Sequence, residues 1–231
     1  MAPGRRVEDP AQDAACGLRL SSRTLGEAWL AVAAAILDRG AEQTYDGAPT
    51  LELELVTLAI GEPSSDDALI ARLGDPERLA WMRANFTDHA PVSELGMARS
   101  YASRLYDYGG TGRDQLQWVI DRLRADPASR SATITMLEPQ LDSSYIPCVS
   151  LFDFWLRGGR LAAAVYAHSI DFGTKGYGNL VQIAVLMERI AAALEVPVGL
   201  LEFIVKSAHI YAPDLAAMRA VVASWAPQTK G

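Results

Sequence analysis

The sequence predicts an α+β domain, a mixed β-sheet packed with helices. Segments of alternating apolar and polar residues are interspersed with segments of helical periodicity, without strict strand–helix alternation. Arg157-Gly158-Gly159-Arg160 separates two strand-like runs and reads as a tight hairpin turn. Hydrophobic residues make up 50% of the 231-residue chain and charged residues 21%, enough apolar material for one large core.

The elements follow in order. Residues 1–22 are polar and Ala/Pro/Gly-rich and predict a flexible N-terminal arm; residues 23–231 read as a single domain. Thr24 and Glu27 form a capping box that opens a helix. Trp29, Val32, Ala33, Ile36 and Leu37 fall on its inner face and Gly40 stops it. Asp46-Gly47-Ala48-Pro49 is a turn. Leu51, Leu53 and Leu55 alternate with Glu52 and Glu54, predicting a half-buried strand that continues to Ile60. Asp75-Pro76 caps a short helix reaching Phe86. Residues 87–112 lack periodicity and predict a long loop of functional character. Asp114 starts a helix that ends at Asp126-Pro127. Strands are expected over Ser131–Leu137, Cys148–Leu156, Leu161–Ser169 and Glu202–Tyr211. Helices are expected over Asn179–Leu194 and from Pro213 to near Ala223.

Composition excludes several classes. The formal charge of -7 argues against a nucleic-acid partner. No apolar run approaches the roughly 18 residues of a membrane span, and residues 1–20 lack a signal-peptide pattern. A cytoplasmic protein without membrane partners is expected. Two cysteines and three histidines, none at ligand spacing, predict no metal site.

Cys148 follows Pro147 at a predicted strand start. Read alone, it is either a small buried hydrophobe or a nucleophile at a cleft floor. The second reading needs positive charge nearby, for which Arg130, His168 and His209 are candidates. Asn179 and Tyr211 read alone as a helix N-cap and a strand end.

Taken together, the residues have a specific register. Tyr145-Ile146-Pro147-Cys148 is followed by His168-Ser169-Ile170-Asp171, then Asn179, then His209-Ile210-Tyr211. This pattern, with the Asp126-Pro127-Ala128-Ser129-Arg130 helix end before it, resembles the thymidylate synthase superfamily. The likeness is firm over 100–220, looser over 25–60 and poor over 61–100. It implies a thymidylate-synthase-like fold with a sheet face at a homodimer interface. It implies C5 one-carbon transfer, methylation or hydroxymethylation, on a pyrimidine nucleotide or nucleoside. The donor would be 5,10-methylenetetrahydrofolate.

The resemblance also assigns roles. Cys148 is the nucleophile that adds to C6, and Tyr101 assists proton removal at C5. Arg130 reaches the substrate phosphate across the dimer and lies near the thiolate. Asn179 reads the base edge, while His209 and Tyr211 hold a sugar hydroxyl. His168 and Ser169 fall at phosphate contacts, and Lys175 is a new charge nearby. Asp171 serves the base network and, with Trp81, the folate. Cytosine-specific relatives carry aspartate where Asn179 stands, which favours uracil.

There are departures from the family pattern. Three of its four phosphate arginines fall here at Tyr45, Ser131 and His168. Arg78 holds the place of its general-base glutamate, with Glu77 one residue early. Its closing apolar segment has no counterpart in Pro227-Gln228-Thr229-Lys230-Gly231, which favours water access and hydroxymethylation. Folate-independent C5 chemistry by the same cysteine, or a non-catalytic pyrimidine-binding relative, are the alternatives.

Overall fold

The computed structural model describes residues 17–45, 47–142 and 145–225. Its centre is a seven-stranded mixed sheet in the order β1-β3-β7-β6-β5-β4, with β2 paired to β3. The strands are β1 (Leu18–Ser22), β2 (Ala41–Tyr45), β3 (Ala48–Ile60), β4 (Ala132–Thr135), β5 (Val149–Arg157), β6 (Arg160–Asp171) and β7 (Val198–Tyr211). The helices are α1 (Leu25–Arg39), α2 (Ala68–Leu73), α3 (Pro76–Thr87), α4 (Tyr101–Tyr106), α5 (Gln115–Ala125), α6 (Gly176–Ala193) and α7 (Leu215–Ser224). The α+β expectation holds.

The principal helices form where local signals agree. The Thr24–Glu27 capping box closes as expected: the Glu27 N–H donates to Thr24 Oγ1 at 3.4 Å and the Thr24 N–H to Glu27 at 3.2 Å. From that cap α1 buries Trp29, Leu30, Val32, Ala33 and Ile36. The Trp29 indole donates to the Phe172 carbonyl at 3.0 Å, tying α1 to the turn between β6 and α6. That turn carries Lys175 and lies between Asp171 and Asn179. Helix α6 contributes Leu180, Ile183, Met187 and Ile190 to the same core as Phe152, Val165 and Phe203 of the sheet.

Two parts of the sheet position the site. β5 and β6 form the expected hairpin around Gly158 and Gly159, at φ 57° and 73°; positive φ at both central residues matches the right-handed twist of the strands. β6 and β7 run parallel through the α6 crossover, bringing Asp171 opposite His209.

Several expectations are corrected. Leu18–Ser22, read as the end of a flexible arm, form β1, paired in parallel with β3. Residues 1–16 of the arm, including Cys16, lie outside the described residues. The 87–112 segment holds α4 and a 3-10 turn at Ser93–Leu95. β3 is a strand, but Leu55 adopts φ 53° and is 51% exposed, while Val56, Leu58 and Ile60 are fully buried. The left-handed residue is a bulge in the ladder: Leu51 and Leu53 pack against the core as expected, Leu55 does not, and beyond it the core face continues through Val56, Leu58 and Ile60. β2 and α2 lacked a sequence signal strong enough to name. Ala48 and Pro49, read as turn, open β3. β7 begins at Val198, ahead of the expected start at Glu202. α6 starts at Gly176, so Asn179 lies within its first turn and is not the N-cap.

On the sheet, Leu151, Tyr166 and Ile204 are register neighbours along one row. Each is more than a third exposed.

Candidate active site

A cavity of about 480 Å³ opens where β3, β5, β6 and β7 meet α3 and the start of α6. Ten of the residues singled out from sequence line it: Trp81, Tyr101, Cys148, His168, Ser169, Asp171, Lys175, Asn179, His209 and Tyr211. Arg130 does not. It is exposed and lines a shallow surface pocket with Phe154, Trp155 and Leu156. Arg130, expected to act across a dimer, lies outside this chain's own cavity. The cavity wall also includes Ser207, outside that set.

Cys148 is fixed by its backbone. The His168 N–H donates to the Cys148 carbonyl at 3.0 Å. The next residue, Val149, donates its N–H to the Tyr101 hydroxyl at 2.9 Å. α4 and the start of β5 are thereby joined, with the thiol between them. Burial pushes the Cys148 thiol up, against a hydrogen bond from Tyr145 and the Lys175 charge, which lower it. The charge of Asp171 adds to the rise. Burial, then the neighbouring cysteine, pushes Tyr101 far up, so it stays a neutral phenol.

Both imidazoles are pushed towards their neutral forms. For His168 the causes are burial and then Lys206. Its Nδ1 lies 3.2 Å from Ser150 Oγ. For His209 burial dominates, partly opposed by Asp171 and Glu52. The His209 ring meets Tyr211 edge-on at 5.1 Å.

Asn179 has a fixed orientation. Its Nδ2 donates to the Lys175 carbonyl at 3.2 Å. Turning the amide over would set oxygen against oxygen. Its Oδ1 is buried and has no partner among the described residues. The same is true of Thr50 Oγ1 on β3, another cavity residue. Buried acceptors left open at a cavity wall suit a ligand that donates hydrogen bonds.

Asp171 is committed largely to its own turn. Oδ1 accepts the N–H groups of Gly173 and Thr174 at 2.9 and 3.3 Å, and Oδ2 the Thr174 hydroxyl at 2.5 Å. The Lys175 ammonium lies 5.6 Å from the centre of the Trp81 ring. Among the described residues no three of His, Cys, Asp and Glu gather to hold a metal ion. No helix among them is long and apolar enough to cross a membrane.

Sequence reasoning missed Glu52, Asn85, Tyr145 and Lys206 as site residues. Glu52 pairs with His209 across β3 and β7, a register that only the folded sheet reveals. Asn85 lies on the α3 face that reads Arg78, Trp81, Met82 and Asn85 at helical spacing, a face without a carboxylate. Its Oδ1 accepts the Tyr101 N–H at 3.0 Å. Lys206 and Tyr145 had signals only through their neighbours, His168 and Cys148. Among the described residues no arginine of this chain lines the cavity.

Residues 65–228 match the thymidylate synthase family. The protein named "Putative thymidylate synthase" in Methanococcoides burtonii is 27% identical over 210 residues, covering 87% of this chain and 93% of the relative. Its namesake in Methanothermobacter thermautotrophicus is 30% identical over 202 residues, covering 81% and 90%. The "Deoxyuridylate hydroxymethyltransferase" of Bacillus phage SP01 is 37% identical over 111 residues, covering 45% of this chain and 29% of the relative. Fold, site and likeness define the class: a transferase of one-carbon groups. The chain belongs to the thymidylate synthase family, a diverged member in which His168, Ser131 and Tyr45 stand at positions read above as arginine.

Proposed function

We propose that the protein transfers a one-carbon unit to C5 of a uracil nucleoside or nucleotide through a covalent adduct between Cys148 and C6. The observation that carries this reading is the meeting of Cys148, the open Asn179 Oδ1 and the His209–Tyr211 pair in one cavity. Uracil carries N3–H, a donor for that oxygen. Cytosine presents an unprotonated N3 there and would set two acceptors face to face.

The chemistry follows from these groups. The Cys148 thiolate adds to C6, forming the S–C6 bond. The C5–C6 π pair moves onto C5 and O4, so C5 becomes nucleophilic. Asn179 holds the base edge while this charge develops. Tyr101, a neutral phenol beside the sulfur, relays the C5 proton once C5 is substituted. The pair left by that proton forms an exocyclic methylene at C5 as the carbon parts from the nitrogen of its donor. Addition of water for a hydroxymethyl product, or of hydride for a methyl one, then returns a pair to C5, re-forming the C5–C6 bond and expelling Cys148.

Methylenetetrahydrofolate fits the donor set. Trp81 offers an aromatic face and Asp171 a carboxylate in the same cavity, and these would hold a flat heterocycle bearing N–H groups. Bound there, it would supply a carbon at the methylene level. The name of the phage relative supports hydroxymethylation; the names of the other two support methylation.

We further propose that the active form is a homodimer joined through the sheet face of Leu151, Tyr166 and Ile204, with Arg130 completing the partner's cavity. An exposed apolar row and an arginine outside its own cavity support this arrangement.

Tritium release from 5-tritiated uridine, UMP, dUMP, CMP and dCMP tests the reaction, with and without methylenetetrahydrofolate. Donor-dependent release from a uracil substrate is expected, and product mass separates methyl from hydroxymethyl. Release from cytosine substrates alone, or none from any, contradicts the proposal.

A further inference from the structure

We infer that Tyr145 is a catalytic group of this site, a hydroxyl donor to Cys148 Sγ that stabilises the thiolate. The inference rests on the reading of Cys148 as nucleophile. The Tyr145 oxygen lies 3.7 Å from the sulfur, within the range of a hydrogen bond to sulfur. A thiolate has no proton to give, so in the reactive form the phenol must be the donor. Tyr145 remains a phenol because burial, followed by the Cys148 charge, pushes its ionisation far up. It is three residues from Cys148 with Pro147 between them; proline restricts the intervening backbone and so the placement of the hydroxyl.

The surroundings leave this role open to few other groups. The titratable and charged groups acting on the sulfur are Tyr145, Tyr101, Lys175 and Asp171. Asp171 disfavours the thiolate. The Tyr101 hydroxyl accepts the Val149 N–H, and among the described residues Tyr145 is the side chain that hydrogen-bonds the sulfur. The remaining help comes from the Tyr145 hydrogen bond first and the Lys175 charge second. The positive charge expected from His168 or His209 is weakened, since burial favours both as neutral rings. Two phenols therefore divide the work: Tyr145 serves the sulfur, and Tyr101 faces the pyrimidine.

The test is the pH dependence of Cys148 alkylation by iodoacetamide, followed on the Cys148 peptide by mass spectrometry. It requires neither pyrimidine nor one-carbon donor, so its failure is distinguishable from failure of the proposed reaction. A hydrogen bond to a charged group is worth enough to move a pKa by about one unit or more. Tyr145→Phe should raise the apparent thiol pKa by about that amount, with Tyr101→Phe moving it less. Where Tyr145→Phe does not fold, difluorotyrosine at position 145 supplies the second measurement. The more acidic phenol is the better donor and should lower the thiol pKa. An unchanged or lowered pKa in folded Tyr145→Phe, or an unchanged or raised one with difluorotyrosine, overturns the inference.

Discussion

The thiol of Cys148 faces two opposed demands. As the proposed nucleophile it must be shielded enough to react with a bound base and ionised enough to attack it. Burial wins in the free protein and holds the thiol protonated at neutral pH. Alkylation of the free enzyme should therefore be slow at pH 7 and accelerate as pH rises through a thiol range above the ordinary one. A pH-independent fast rate at neutrality would contradict this. Asn179, the proposed base-reading residue, gives a second prediction. Asn179→Asp keeps an acceptor for N3–H but removes the amide hydrogens, one of which bonds the Lys175 carbonyl, and sets a carboxylate beside O4 of uracil. Loss of a buried partner of this kind costs about 1–3 kcal/mol, roughly tenfold or more in kcat/KM for uracil substrates. Cytosine substrates, with a donor at C4, should lose less. Equal losses for both bases would count against the assigned contact. The third prediction concerns His168. Its pKa is depressed, so it is neutral from pH 7 upward and becomes a cation only as pH falls below the ordinary histidine range. Dissociation constants for UMP against uridine should be flat between pH 7 and 8.5, with monophosphate affinity improving only under more acid conditions. Improvement that is complete by pH 7 would show that His168 is charged.

At the scale of elements, the segment before Cys148 is held by a buried ion cluster. Arg104 on α4 is 1% exposed and bonds Asp142 through both guanidinium ends, at 2.7 and 3.1 Å, while also donating to the Met136 carbonyl. Removing one partner strands a buried charge, which costs about 3–5 kcal/mol. Arg104→Ala should lose about that much in urea unfolding, and a loss under 1 kcal/mol would contradict the role assigned to the cluster. Elements differ in how plainly the sequence announces them. α1 and α5 have side-chain caps and one-sided periodicity, and both form close to their expected limits. β2 reads Ala-Glu-Gln-Thr-Tyr, is exposed throughout and offers no alternation; its strand exists because β3 supplies an edge. The 87–112 segment hides α4 for a similar reason, since six residues are too few for periodicity to register. The site divides along the same line. Cys148, Asn179 and His209 follow a readable spacing, and the structure brings them together. Glu52 reaches the cavity through cross-strand register and Asn85 through a helix face with no carboxylate, neither visible in linear spacing.

At the scale of the molecule, the proposed dimer makes a prediction about complementation. Cys148→Ala and Arg130→Ala proteins should each be inactive alone and regain activity when mixed, because one cavity in the hybrid then has both groups. A verified heterodimer without activity, or a chain that sediments as a monomer while turning over substrate, would rule the arrangement out. All the chemistry proposed here depends on one bond, between sulfur and C6. The most direct measurement is mass spectrometry of the Cys148 peptide after incubation with 5-fluorinated uracil nucleosides and nucleotides together with methylenetetrahydrofolate. Fluorine at C5 cannot leave as a proton does, so the adduct should persist. The account predicts pyrimidine mass on Cys148 in the wild-type protein and none in Cys148→Ala. Pyrimidine mass on another residue, or no adduct in a folded enzyme that still transforms uracil substrates, would contradict it.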